Sequence, residues 1–125
     1  MSDASAAAAA WTWPESLDAL RAAPGHHRVL FENERVRVLD TRIASGDRVP
    51  VHTHRWPVVH HIMSWSDFVR RDAEGNVLVD TRGRPPPASL PSVAWGESLP
   101  PHSLENVGAN ELWVVSIELK EPADK

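Results

Sequence analysis

From residue 28 onward the chain is cut into short β-branched runs by turn signals, and that rhythm limits its fold more than any other feature. The runs are Arg28–Phe31, Arg35–Ile43, Val49–His54, Val58–Ser64, Asp67–Asp72, Val77–Thr81, Ser92–Trp95, Ser103–Val107 and Glu111–Leu119. Between them stand Ala44-Ser-Gly-Asp47, Ala73-Glu-Gly-Asn76 and Gly108-Ala-Asn110, rich in residues that tolerate the backbone angles of tight turns. Val36 and Val38 alternate with Arg35 and Arg37, the period of a half-exposed strand. Arg82-Gly-Arg-Pro-Pro-Pro87 reads as a polyproline-like crossing. About nine short strands spaced in this way predict an all-β barrel or sandwich.

Helix signals precede the strands. Thr12-Trp-Pro-Glu15 has the form of a capping box, with Pro14 in the first turn. Trp13, Leu17 and Leu20 share one helical face, and Pro24-Gly25 ends the pattern. A short amphipathic helix at about 13–23, packed outside the barrel, is expected. Residues 1–11 read as a disordered Ala-rich tail, because Asp3 and the missing basic segment do not suit a signal peptide. Residues 12–125 read as one domain, with a frayed end over 121–125. The net charge of −4 is dispersed, so neither a nucleic-acid nor a membrane partner is expected. The chain has no cysteine, which fits a cytoplasmic location and excludes thiolate ligands and nucleophiles.

The chemistry lies in the histidines. His52 and His54 form a His-x-His in Gly46-Asp-Arg-Val-Pro-Val-His-Thr-His54, and residues two apart on a strand share a face. Seven histidines in 125 residues predict roughly 0.4 such pairs by chance, so the pair needs its context. A third histidine, His102, sits in a Pro-Pro-His turn four residues before Asn106. Three neutral imidazoles from a sheet that curls on itself suit a divalent transition metal and leave positions open for water or substrate.

Gly46, His52 and His54, followed by His102 and Asn106, resemble the two motifs of the cupin family over about residues 28–120. The resemblance implies a double-stranded β-helix, or jelly-roll barrel, with both motifs facing one cavity. It implies a metal held by His52, His54 and His102, with a small-molecule substrate and homodimerisation. The family's glutamate would fall at Val58 or Val59, which cannot bind metal, and its Pro-x-Gly is here Leu-Pro-Pro. His60 lies on the face of Val58 and is a candidate fourth ligand, although a packed interior histidine is the first reading. His61 should point the opposite way, and His26 and His27 should be solvated in a loop. Asn106 or Glu105 could orient His102 from outside the ligand set.

Among three-histidine cupins are thiol dioxygenases and diketone-cleaving enzymes. With no tyrosine and no cysteine, the thiol reaction is disfavoured. The expected function is an iron-dependent dioxygenase acting on a small chelating substrate. A metal-dependent lyase, isomerase or hydrolase is the alternative, as is a cupin that binds without turnover. Zinc, nickel, manganese or copper could replace iron. Arg48, Arg55, Arg70 and Arg71 could dock a carboxylate, although solvated strand faces are their first reading. Trp56, Trp65, Trp95 and Trp113 are expected mainly in the core, with one or two at the pocket mouth. Trp11 and Trp13 are expected against a partner.

Overall fold

The computed structural model describes residues 11–120, so most of the expected tail and the expected frayed end lie outside the described residues. Nine strands follow in chain order: β1 His27–Glu32, β2 Val36–Ile43, β3 Arg48–His54, β4 Val58–Ser64, β5 Phe68–Asp72, β6 Val77–Asp80, β7 Ser92–Gly96, β8 Leu99–Asn106 and β9 Leu112–Leu119. Every run read from the sequence is a strand, most within a residue or two of its expected ends. β8 is the exception. It begins at Leu99, four residues early, so His102 lies inside a strand and not in a turn.

The strands form two antiparallel sheets, ordered β1-β2-β9-β4-β7 and β3-β8-β5-β6. β9 is the hub of the first sheet. Its eight residues pair with β2 from Val36↔Leu119 to Ile43↔Leu112, and its other edge pairs with β4. Side-chain parity turns Leu112, Val114, Ser116 and Glu118 toward the space between the sheets. One end of that space is closed by Ala23, Ile43, Val49 and Leu112, with Trp65, Phe68, Leu104 and Val114 packed against them. Truncating Leu112, nearly fully buried there, would cost about 2–5 kcal/mol.

The N-terminal helix is shorter than expected. A 3-10 turn at Glu15–Leu17 is followed by a single α-helical turn, α1, at Ala19–Ala22. Asp18 caps α1 by accepting from the Leu20 N–H at 3.1 Å, and Thr12 caps nothing. The capping-box reading failed because Asp18 is also bound to Arg37, and that tertiary contact sets where the helix starts. Ala19 and Ala23 supply the buried contacts in place of Trp13 and Leu17. Trp11 and Trp13 stack edge to face at 4.9 Å.

A polar knot fixes the β8–β9 turn beneath the cavity. Fully buried Asn106 donates through its amide to the Ile43 and Asn110 carbonyls, and accepts from Ser66 Oγ and the Gly108 N–H. Gly108 lies hard against Ser66, leaving no room for a Cβ. Asn106 is therefore structural. Glu105 is paired with Arg71 at 3.0 Å. Neither reaches His102, so the expected outer-shell role of both residues is not what the structure shows.

Candidate metal centre

Four imidazoles meet in the cavity between the sheets. His52 and His54 come from β3, His102 from β8 directly opposite His52, and His27 from the first position of β1. Ring centroids are 4.9 Å apart for His52–His54, 5.0 Å for His27–His52, 5.4 Å for His27–His54 and 4.3 Å for His52–His102. The candidate donor atoms of His27, His52 and His54 all lie within 4.8 Å of one another. His102 stacks on His52 but stands 5.7 Å from His54. His27, expected in solvent, is buried. Strand parity carries the reason: of two adjacent histidines at a strand start, one must face inward. His26 takes the outer side and binds Asp47 at 2.8 Å.

The hydrogen bonds fix the state of each ring. His52 Nδ1 lies 2.7 Å from the Pro50 carbonyl, and His102 Nδ1 lies 2.8 Å from the Pro100 carbonyl. His27 Nδ1 lies 3.1 Å from the Ala23 carbonyl. A carbonyl oxygen can only accept, so in all three rings Nδ1 carries the proton. His54 Nδ1 lies 3.0 Å from Glu118 Oε2, and with an ionised carboxylate the same holds there. Each neutral ring is left with an Nε2 lone pair, the form that binds a metal. At His52 and His102 a Pro-x-His spacing lets the proline carbonyl serve the imidazole two residues on, whereas His26, in the same spacing, binds Asp47 instead.

Burial keeps these rings neutral. Desolvation first, and then the crowding of neighbouring imidazoles with Arg70 or Arg37, push His52, His54 and His102 down to about 3. His27 is pushed down to about 4, again mainly by burial. The donor set therefore fits a divalent transition ion: no protons need be displaced at neutral pH, and imidazole suits iron, zinc, copper and nickel.

Glu118 escaped the sequence reading. It is 1 % exposed on β9, and each carboxylate oxygen is engaged. Oε2 takes His54, and Oε1 accepts from Arg37 Nε at 2.6 Å. Arg37 in turn donates to both oxygens of Asp18, at 3.0 Å each. Burial raises the Glu118 pKa, against the Arg37 guanidinium, which lowers it. A lone glutamate on the inward face of the most apolar strand, two residues from Ser116, was the available signal.

His60 lines the cavity, as parity required, but belongs to no ring contact with the four. Its Nδ1 meets Ser116 Oγ at 2.9 Å, and its Nε2 lies where a side chain on Gly96 would begin. Packed interior histidine is the reading that fits. His61 is absent from the cavity wall, as expected. Of the arginines, Arg48 and Arg55 are exposed, Arg71 is paired with Glu105, and Arg70 reaches the cavity. Trp65 lines the cavity, Trp113 stacks under Arg42, and Trp95 is exposed, against the core role expected for it.

The cavity measures about 200 Å³, below the roughly 300–1,000 Å³ of drug-sized pockets. Ile43, Val49, Ile62, Phe68, Leu104 and Val114 make most of its wall apolar.

No protein-family model matches the chain, and no curated protein matches its sequence. Solved structures do match. A cupin domain from Bordetella pertussis Tohama I superposes with a TM-score of 0.57 at 22 % identity, over 76 % of this chain and 92 % of that one. A RmlC-like cupin protein with a double-stranded β-helix fold from Methanocaldococcus jannaschii gives 0.51 at 12 % identity, over 75 % and 80 %. This chain has the cupin fold. A double-stranded β-helix protein from Klebsiella pneumoniae also gives 0.51, at 15 % identity, over 87 % and 78 %. On this cupin barrel, Val58, one of the two positions where the motif glutamate would fall, has Glu118 as its register partner across the β4–β9 ladder. The site's carboxylate thus comes from the neighbouring strand and orients a histidine.

Proposed function

We propose that this cupin is a metal-dependent enzyme whose imidazole cluster holds one divalent ion, with iron-dependent dioxygenation of a small chelating substrate as its reaction. The observation that carries the metal reading is the four Nδ1 hydrogen bonds, which leave four Nε2 lone pairs in one cavity. Among the described residues, His27, His52 and His54 are the group whose donor atoms lie within 4.8 Å of one another, and His102, with its ring 4.3 Å from that of His52, is a candidate fourth ligand. Three imidazoles on a six-coordinate ion leave three positions, and four leave two. Bound there, iron would supply the redox chemistry and a positive centre for the substrate's oxygens.

The chain's own residues support this division of labour. Glu118 and Arg37 hold His54, and the Pro50, Pro100 and Ala23 carbonyls hold the other rings. The apolar wall limits water. The acids at the cavity are Glu118, already engaged on both oxygens, and Glu97, which accepts from the Trp95 indole at 2.6 Å. That leaves the bound ion as the main source of chemistry. The test is anaerobic loading with ferrous iron, followed by oxygen uptake against diketones, hydroxy acids and catechol-like compounds. Uptake with one class supports the oxygenase. Turnover with zinc or nickel and no oxygen consumption would move the assignment to a lyase or hydrolase.

A further inference from the structure

Arg70 is the anomaly of the cavity. It stands on β5 between Val79 of β6 and Leu104 of β8, and its side chain lines the same space as the four histidines. Among the described residues it forms no hydrogen bond and no ion pair, and its Nε is buried without a partner. Every other described arginine is either exposed or paired with an acid. The Phe68 ring, 5.7 Å from the guanidinium carbon, offers only a weak cation–π contact.

A guanidinium stays charged in a protein, and that of half-buried Arg70 has its Nε shut off from solvent with no counter-charge beside it, which is costly. The two acids at the cavity do not relieve it, since Glu118 serves Arg37 and His54, and Glu97 serves Trp95. With a divalent ion on the imidazoles, the cavity would carry two positive centres, and Glu97, its one carboxylate without a cationic partner, forms no ion pair with Arg70. A charge held in that state calls for a ligand that brings the anion.

We propose that Arg70 is the docking site for the carboxylate of a small organic acid, which the ion on the imidazole cluster holds through its other oxygen donors. This rests on the metal reading above and narrows its substrate class to hydroxy or oxo acids. The planar fork of a guanidinium matches a carboxylate through two parallel hydrogen bonds. The small apolar cavity offers no cluster of further donors of the kind a phosphate would need. Arg70 is a binding residue here, and the neutral amide of the same acid loses the interaction.

The test titrates zinc into the wild type and Arg70→Met, and then titrates glycolate and glycolamide into the zinc-loaded proteins. Both proteins should take up zinc with affinities within about threefold, because Arg70 is not a ligand. Glycolate affinity should fall at least tenfold in Arg70→Met, and glycolamide should bind both proteins equally weakly. Arg70→Met should also resist urea at least as well as the wild type, since a half-buried charge without a counter-ion has been removed. A purely structural arginine would give the opposite urea result. Equal glycolate affinity in the two zinc-loaded proteins overturns the proposal and leaves the metal site standing. If neither protein binds zinc, the metal reading fails separately. Glycolate is then titrated into the metal-free proteins, where a loss confined to Arg70→Met supports the docking site and equal or absent binding overturns it.

Discussion

Replacing Glu118 by glutamine separates the two tasks its carboxylate performs. Oε1 accepts from Arg37 at 2.6 Å, and Oε2 accepts from His54 at 3.0 Å. Glutamine has nearly the same shape but only one acceptor atom; the other position becomes an NH2 donor. If the amide oxygen stays with Arg37, the NH2 faces His54 Nδ1. The ring must then accept there, which moves its proton to Nε2 and removes the lone pair a metal needs. If the oxygen turns to His54, the NH2 meets the Arg37 guanidinium, donor against donor. Arg37 is 5 % exposed and would keep only Asp18, so this arrangement approaches the ~3–5 kcal/mol of a broken buried pair. The tautomer change is the less costly route. Losing a partner that orients a ligand typically costs about 10–100-fold in metal affinity, or ~1.4–2.7 kcal/mol.

Glu118→Gln should therefore stay folded, lose about 1–3 kcal/mol in urea, and bind zinc about 10–100-fold more weakly in a chelator competition. Glu118→Ala removes both acceptors and should unfold more readily than Glu118→Gln. Unchanged zinc affinity in folded Glu118→Gln would refute the assignment of His54 Nδ1 to Glu118, and with it the orienting role of the carboxylate.

Three further outcomes follow from the same geometry. Because the His52 ring stands against those of His27, His54 and His102, His52→Ala should lose more zinc affinity than either His27→Ala or His102→Ala; equal losses in all three, by competition titration, would contradict this. The metal-free protein should lose stability as pH falls from 6.5 toward 3–4, since the unfolded chain takes up histidine protons that the buried rings refuse, at roughly 1.4 kcal/mol per pH unit for each ring. Glu118, with its raised pKa, acts in the opposite sense, and urea unfolding at pH 7, 6 and 5 should still show the decline; a flat profile counts against it. The homodimer expected from the sequence should use the outer face of β7, where Val93 and Trp95 are 66 % and 57 % exposed, so light scattering should report a dimer that Trp95→Glu dissociates, and a monomeric wild type would end that expectation.

What could be read in the sequence and what could not divide along physical lines. Strand runs were legible because alternation and turn chemistry act locally, and Val58–Ser64 is matched to the residue. His52 and His54 were legible because parity on one strand fixes their common face. The N-terminal helix was misjudged because Asp18 answers to Arg37, nineteen residues away, and no local pattern reports that pairing. His27 was missed for a related reason: its place beside His52 depends on how β1 closes the first sheet. Glu118 needed the β4–β9 register, which sets it opposite Val58. The family motif pointed to a missing carboxylate at Val58 or Val59, and only the ladder shows which strand provides one. Arg70 could not be told from Arg48 or Arg55 by sequence, because alternation along the short strand β5 does not say which of its faces meets the cavity.

The central claim is that the imidazole cluster holds one divalent ion per chain, and elemental analysis tests it most directly. Wild type and His52→Ala are produced in medium supplemented with iron, zinc, nickel, manganese and copper, desalted, and compared by circular dichroism. The account predicts one transition-metal ion per wild-type chain and almost none in a His52→Ala protein with the same spectrum. A folded wild type free of metal, or a His52→Ala protein with undiminished content, would contradict it.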